Sequence, residues 1–112
     1  MVKKTFVPDR RDIVWINLNP ARGHEQADVR PALVLSPKTY NQKTGLMVIC
    51  PITSQVKQYP FEVAIVGKKI TGVVLSDQIR TVDWKQRQVK FIEKTTSLIL
   101  EEVNAKQRVL IF

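Results

Sequence analysis

The chain has 112 residues, a length that fits a single domain built around one core. Eighteen lysines and arginines against ten acidic residues give a net charge of +8, while 44% apolar and 25% charged residues are ordinary for a globular protein. A field of this sign on a small body favours polyanionic partners such as nucleic acid, an acidic chain or an anionic membrane surface. Charge that serves only solubility is the alternative.

Several classes of protein are excluded at once. No apolar stretch is long enough to span a bilayer, and the basic N-terminus lacks the apolar segment of a signal peptide. Cys50 is the one cysteine; it lies in an apolar run, and we expect it in the core of a protein from the reducing cytoplasm. One histidine and one cysteine far apart match no zinc spacing, and Walker and dinucleotide motifs are missing. The sequence therefore predicts no metal ion and no cofactor.

Short apolar runs punctuated by prolines predict the secondary structure of the first two-thirds of the chain. Five runs are clear strand candidates and two are weaker ones: 13–16, 32–35, 46–53, 61–65 and 72–75, then 79–82 and 89–92. Apolar residues at helical spacing from Leu98 to Leu110 follow the hydroxyl cluster 95–97, which is typical of a capped helix. This order predicts a strongly bent antiparallel sheet or partial barrel closed by a C-terminal helix.

The densest chemistry lies between two of these strands, in Gly23-His24-Glu25-Gln26 and the following Arg30-Pro31. A residue before proline favours extended angles, so we expect Arg30 at a strand entrance. A guanidinium suits a phosphodiester and stabilises the charge that develops on a pentavalent phosphorane. Glu25 and His24 are candidates for general acid–base work or for holding that arginine. A purely structural ion pair between Glu25 and Arg30 is the alternative.

Two more polar segments follow buried strands. The hydroxyls of Thr53 and Ser54 can donate to a phosphate oxygen, or can satisfy backbone groups of a turn. Asp77 and Gln78 can read base edges or cap a turn.

The segment 55–61 interleaves a cation with aromatic rings, in Lys57, Tyr59 and Phe61. Single-stranded RNA is bound in this way, through contacts to phosphates and stacking of bases. An ordinary exposed hairpin with Phe61 in the core has the same pattern, so this segment alone leaves both interpretations open.

In chain order, these motifs resemble those of the MazF/PemK (Kid) family of bacterial toxin–antitoxin toxins. The resemblance covers essentially the whole chain, and the segments around Asn41 and Tyr59 place it nearest the MazF branch. The matching segments are Arg11 to Trp15, Gly23 to Gln26, Arg30 to Ser36, Pro51 to Ser54, Gly72 to Gln78 and Arg80-Thr81. The family implies an SH3-like partial barrel with a C-terminal helix, and a homodimer whose grooves bind single-stranded RNA.

The resemblance also implies an activity: metal-independent, sequence-specific endoribonuclease cleavage of mRNA that inhibits translation and growth. The ribose 2′-hydroxyl attacks the adjacent phosphate and leaves a 2′,3′-cyclic phosphate and a 5′-hydroxyl. By similarity, Arg30 is the principal catalytic residue, Thr53 stabilises the phosphorane and Glu25 assists. His24 and Asp77 match positions used in the PemK branch. Leu75 replaces an arginine that PemK members use, so Arg30 and Thr53 carry most of the prediction.

For substrate binding we expect Asn41, Lys57 and Gln78 to read base edges, with further RNA contacts from Ser54, Tyr59 and Phe61. The family implies an antitoxin partner with an acidic, disordered, MazE-like tail that lies over the RNA groove, and DNA binding only through that complex.

The position of Trp84 and two other functions complete the expectations. We expect Trp84, with Lys85 and Arg87, near the exposed surface, with simple core burial as the alternative. A CcdB-like gyrase inhibitor would share the fold, but the chain lacks the tryptophan that such toxins carry near the C-terminus. A non-catalytic nucleic-acid-binding barrel would not explain why His24, Glu25 and Arg30 lie in one short segment.

Overall fold

A computed structural model describes residues 6–18 and 28–112 of the chain. Within those ranges it has seven strands and two helices. They are β1 (Asp12–Asn17), β2 (Val29–Val34), α1 (Lys38–Thr44), β3 (Leu46–Thr53), β4 (Glu62–Val66), β5 (Thr71–Leu75), β6 (Arg80–Asp83), β7 (Lys90–Lys94) and α2 (Ser97–Ile111). All seven predicted strands and the C-terminal helix are confirmed, whereas α1 was not located from the sequence.

The strands form one antiparallel sheet in the order β4-β5-β3-β2-β1-β7, and β6 also pairs with β3. The eight-residue β3 explains the shape, because its first half pairs with β6 and its last two residues pair with β5. One strand thus serves two neighbours along the same edge, and the sheet curls on itself. The result is the predicted fold, a mainly β half-barrel with a C-terminal helix.

Both faces of the sheet carry a core, because alternate side chains of a strand point to opposite faces. Ile13 packs with residues of β3, β4, β5 and β7 and with Val103 of α2. Its neighbour Val14 packs in a second cluster with Met47 and Trp84. Val14 and Ile16 are fully buried and the intervening Trp15 is not. That exposed tryptophan matters for the site described below.

Helix α1 is held by Asn41, whose side chain is fully buried. Its amide nitrogen donates to the carbonyl of Pro8 at 2.8 Å, and its amide oxygen accepts from the hydroxyl of Ser36 at 2.6 Å. The prediction that Asn41 reads RNA bases is therefore wrong, since its polar atoms already stabilise the fold. The helix ends at Gly45, whose φ of 74° suits a residue without a Cβ atom.

Trp84 is buried, and its indole N–H donates to the backbone carbonyl of Asn41 at 2.9 Å. The expectation that it lies near the exposed surface is wrong, and the alternative of core burial is confirmed. A buried indole needs a hydrogen-bond acceptor, which the end of α1 supplies.

Helix α2 begins after Thr96, whose hydroxyl accepts the N–H of Ile99 as the hydroxyl cluster predicted. Further along, Lys106 Nζ donates to the carbonyl of Pro60 at 2.6 Å. The amide of Gln107 donates to the carbonyl of Ser76 at 3.1 Å. The helix thus holds two segments in place, the β3–β4 loop (residues 54–61) and the turn after β5.

Candidate nucleic-acid interface

Two cavities meet at the end of β3, and Arg30, Thr53 and Gln55 line both of them. The first, here called the sheet-side cavity, has a volume of about 480 Å³ and also contacts Trp15 and Lys69. The second, the loop-side cavity, has a volume of about 490 Å³ and lies against the β3–β4 loop. Together they form one open groove with Arg30 and Thr53 at its centre.

Arg30 is the second residue of β2, at the strand entrance predicted from the proline that follows it. Its Nε donates to the carboxylate of Asp28 at 2.7 Å, and the two side chains are 53% and 42% exposed. An ion pair this exposed contributes only about 0–1 kcal/mol. A phosphate in the groove can therefore displace Asp28 at small cost and take the planar fork of donors.

Thr53 is the last residue of β3 and is half-buried. Its hydroxyl oxygen accepts the backbone N–H of Gln55 at 3.1 Å, so it does satisfy the turn, as one interpretation predicted. A hydroxyl that accepts one hydrogen bond retains its own hydrogen to donate. Thr53 can therefore stabilise the turn and contact a ligand oxygen at the same time.

Gly72 of β5 packs closely against the backbone carbonyl of Thr53. A Cβ atom at Gly72 would lie 2.3 Å from the carbonyl oxygen of Thr53. Only glycine allows β5 to approach β3 this closely. The position of the Thr53 hydroxyl thus depends on a residue that contributes no side chain to the groove.

The β3–β4 loop is exposed throughout residues 54–60 and pairs with no strand. The carboxylate of Glu62 accepts the backbone N–H groups of Lys57 at 3.1 Å and Tyr59 at 3.3 Å. Gln58 between them has a φ of 56°, an angle that residues with side chains rarely adopt. A few side-chain contacts therefore hold this wall of the groove.

One such contact joins Tyr59 to Asp77, whose carboxylate accepts the phenolic O–H at 2.7 Å. That hydrogen bond to Asp77 raises the pKa of Tyr59. Asp77 itself lines neither cavity, although its neighbour Gln78 lines the loop-side one. The geometry gives Asp77 a role in positioning Tyr59.

The β4–β5 turn closes the sheet-side cavity and is held by Glu93 of β7. The carboxylate of Glu93 accepts the backbone N–H groups of Lys68 at 3.0 Å, Lys69 at 2.9 Å and Ile70 at 2.8 Å. The N–H of Lys69 is the largest of several influences that hold the pKa of Glu93 below its usual value of 4.5. This clamp places the Lys69 cation beside the groove.

The structure brings together most of the predicted site. The groove is lined by Arg30, Thr53, Ser54, Lys57, Tyr59 and Gln78. Phe61 lies outside its lining and packs against Tyr59, with ring centroids 5.7 Å apart. His24 and Glu25 lie outside the described residues.

The lining residues that sequence reasoning missed include Trp15, Gln55 and Lys69 of the sheet-side cavity. The apolar run around Trp15 predicted a strand without showing which of its residues is exposed. Lys69 enters the site only through the clamp by Glu93. Among the described lining residues, Arg30, Lys57 and Lys69 are basic and Glu62 alone is acidic. That balance suits a polyanion.

The described residues also bear on metal binding, membrane-spanning helices and cysteine chemistry. No group of three His, Cys, Asp or Glu side chains there could hold a metal ion. None of the helices in that part of the chain is both long and apolar enough to cross a membrane. Cys50 is fully buried as predicted, and burial raises the pKa of its thiol to about 12, so it is not a nucleophile.

Comparison with known proteins gives consistent results. Residues 9–111 match the family model described as "PemK-like, MazF-like toxin of type II toxin-antitoxin system". The chain is 42% identical over 106 residues to the Endoribonuclease toxin MazF of Escherichia coli K12, with 95% of this chain and 96% of the relative covered. It is 37% identical over 108 residues to the Endoribonuclease PemK of Escherichia coli, with 92% and 81% covered.

Solved structures agree in fold. The chain superimposes on MazF in a MazE–MazF crystal structure from Deinococcus radiodurans with a TM-score of 0.88 and 45% identity, over 96% of this chain and 97% of that one. The family model spans nearly the whole chain, and the relatives named above cover more than nine-tenths of it. The chain therefore belongs to the PemK-like, MazF-like family of endoribonuclease toxins from type II toxin–antitoxin systems.

Proposed function

We propose that this chain cleaves single-stranded RNA at short specific sequences, without a metal ion, from the groove in which Arg30 and Thr53 meet. The observation that carries the proposal is that these two residues, from different strands, line both cavities. The basic lining and the relatives named endoribonucleases support it. Physiologically, such cleavage of mRNA in the cytoplasm would stop translation and growth.

The chemistry follows from these groups. The ribose 2′-oxygen attacks the adjacent phosphorus, and the bond from phosphorus to the 5′-oxygen of the next nucleotide breaks. The products are a 2′,3′-cyclic phosphate and a 5′-hydroxyl. Arg30 and Thr53 donate hydrogen bonds to the phosphoryl oxygens, where negative charge builds up in the transition state.

Two protons must also move, one off the 2′-hydroxyl and one onto the leaving 5′-oxygen. We assign Glu25 to this transfer or to the positioning of Arg30, with His24 as a supporting residue. Asp77 is the less suitable candidate, because its carboxylate is hydrogen-bonded to Tyr59 and lies outside the lining of the groove.

We further propose two protein partners. The first is an antitoxin whose acidic, disordered tail competes with RNA for the basic groove, and DNA is bound only through that complex. The MazE–MazF crystal structures of relatives and the net charge of +8 support this partner.

The second proposed partner is another copy of the chain, which would cover the exposed apolar side chains at the end of α2, such as Leu110 and Ile111.

Mapping the ends of a cleaved transcript tests the activity directly. A defined RNA is incubated with the protein in EDTA, and the new ends are identified by sequencing and by phosphatase and kinase treatment. We expect cyclic phosphate and 5′-hydroxyl ends, and a rate lower by about 10³-fold in Arg30→Ala. Lys43→Ala, which removes an exposed cation on α1 outside both cavities, is the control. Intact RNA, or full cleavage by Arg30→Ala, contradicts the proposal.

A further inference from the structure

Trp15 occupies an unusual place for a tryptophan. It lies in the middle of β1, which pairs with β2 on one side and β7 on the other, yet 39% of its surface is exposed. Both of its neighbours along the strand are fully buried. A large indole left open in the interior of a sheet costs apolar exposure, and such exposed aromatic surface commonly marks a binding site.

The register of the sheet shows what surrounds the indole. Trp15 is paired with Pro31 on β2 and with Lys90 on β7. Paired residues project from the same face of a sheet, so a ring and a cation stand side by side. Trp15 and Pro31 line the sheet-side cavity together with Arg30, which places this row next to the centre of the groove.

A third cavity, here called the β7-side cavity, continues the groove beyond Trp15. It has a volume of about 250 Å³ and is lined by Trp15 together with Asn17, Val29, Arg87, Gln88 and Lys90. Among the described residues, Trp15 is the one that lines both this cavity and the sheet-side cavity. The three cavities therefore form one track that passes from the β3–β4 loop, over Arg30 and Thr53, to β7.

The charge of the β7-side cavity favours an anion. Arg87 and Lys90 are its two charged lining residues in the described part of the chain, and both are basic. Arg87 uses Nη1 to bind the carbonyls of Asn17 and Leu18, at 3.1 and 2.7 Å, which fixes its guanidinium. Lys90 is exposed. An aromatic face beside cations is the arrangement by which proteins bind single-stranded nucleic acid.

We propose that the β7-side cavity is a subsite for a nucleotide that flanks the scissile phosphate, with its base stacked on Trp15 and its phosphate beside Lys90. The proposal rests on the proposed function, since it extends the RNA path away from Arg30. Stacking depends on a π-face that every base has, so this subsite adds affinity with little sequence preference. Sequence selection then falls to the β3–β4 loop on the other side of Arg30.

The two tryptophans allow a direct binding test. Trp84→Phe leaves Trp15 as the only tryptophan, because the chain has two. This variant is titrated with a 2′-O-methyl RNA, which has no nucleophilic hydroxyl, while fluorescence and anisotropy are recorded together. We expect quenching of Trp15 along the same binding curve as the anisotropy. RNA binding without any change in Trp15 fluorescence overturns the subsite.

Cleavage kinetics supply the second test. Trp15→Ala should raise KM about 5- to 100-fold and leave kcat nearly unchanged, while Trp15→Phe keeps most of the affinity. On an RNA shortened by the flanking nucleotides, wild type and Trp15→Ala should have the same KM. Phe91→Ala is the matched control, because Phe91 is an exposed aromatic residue on β7 that lines none of the three cavities.

The outcomes separate this subsite from the proposed function. A wild-type protein that cleaves RNA while Trp15→Ala behaves identically overturns the subsite alone. A fall in kcat with unchanged KM also overturns it, because that result indicates a distorted active site. A wild-type protein that cleaves no RNA overturns the proposed function, and the fluorescence titration still decides whether Trp15 binds single-stranded nucleic acid.

Discussion

The two walls of the groove are built in different ways. On one side, Arg30 and Thr53 belong to paired strands with a core beneath them, and Gly72 packs against the backbone of Thr53. On the other side, the β3–β4 loop pairs with no strand and is held by Glu62, Asp77 and Lys106. Chemistry needs a fixed geometry, and recognition of different RNA sequences needs a wall that can vary. In the proposed function, the paired strands form a rigid wall that supplies the fixed geometry, and the β3–β4 loop forms a loop wall that can vary.

After the loss of the Arg30 guanidinium, the largest effect in this comparison should come from removing the Thr53 hydroxyl. We expect Thr53→Val to lower kcat about 100-fold, since a donor to the developing charge is lost while the strand is retained. Thr53→Ser should keep most of the activity. Thr81→Val, an exposed strand threonine outside the groove, is the control. Single-turnover rates measure the change, and wild-type rates in Thr53→Val would contradict the role of the hydroxyl.

A substitution at Gly72, which lines neither cavity, should disturb the rigid wall through the backbone of Thr53. In Gly72→Ala the new methyl group collides with the Thr53 carbonyl, so strands β3 and β5 must separate. We expect a loss of about 1–3 kcal/mol in the free energy of unfolding and a lower kcat. Urea denaturation and cleavage assays measure the two. Unchanged stability and kcat would mean that this close approach is unimportant.

On the loop side, Tyr59→Phe removes the hydrogen bond to Asp77 and keeps the ring. We expect the loop to be held less firmly, and therefore a changed preference among cleavage sites. Asp77→Asn tests the same contact from the other side, and Tyr40→Phe, an exposed tyrosine outside the groove, is the control. Loss of cleavage in Asp77→Asn but not in Tyr59→Phe would indicate a catalytic acid or base.

The smallest effect concerns the turn that carries Lys69. Because the folded-state pKa of Glu93 is lowered, its contribution to stability is present above the usual value of 4.5 and is lost as the pH falls through the lower, folded pKa. Glu93→Gln should therefore cost roughly 0.5–1 kcal/mol at pH 7 and almost nothing in strong acid. Denaturation across pH 3–7 measures both proteins. A stability difference that grows toward low pH would contradict the clamp.

The sequence predicted the positions of some of these residues correctly and those of others wrongly. The apolar runs and the proline after Arg30 were sufficient to predict that Arg30 lies at the start of a strand and Thr53 at the end of one. Strand ends follow from such local patterns. Asn41 and Trp84 were misplaced, since their burial depends on a hydrogen bond between distant segments that no local pattern reveals. Trp15 was missed for the converse reason, because an exposed position in an apolar run has the same sequence pattern as a buried one.

We propose that the rigid wall performs the chemistry and the loop wall selects the sequence. The most direct measurement is the rate at every cleavage site of one long transcript, for wild type, Thr53→Val and Tyr59→Phe. We expect Thr53→Val to lower the cleavage rate at every site by the same factor, whereas Tyr59→Phe should change the relative rates of the sites. Uniform slowing by Tyr59→Phe together with a redistribution of sites by Thr53→Val would contradict it.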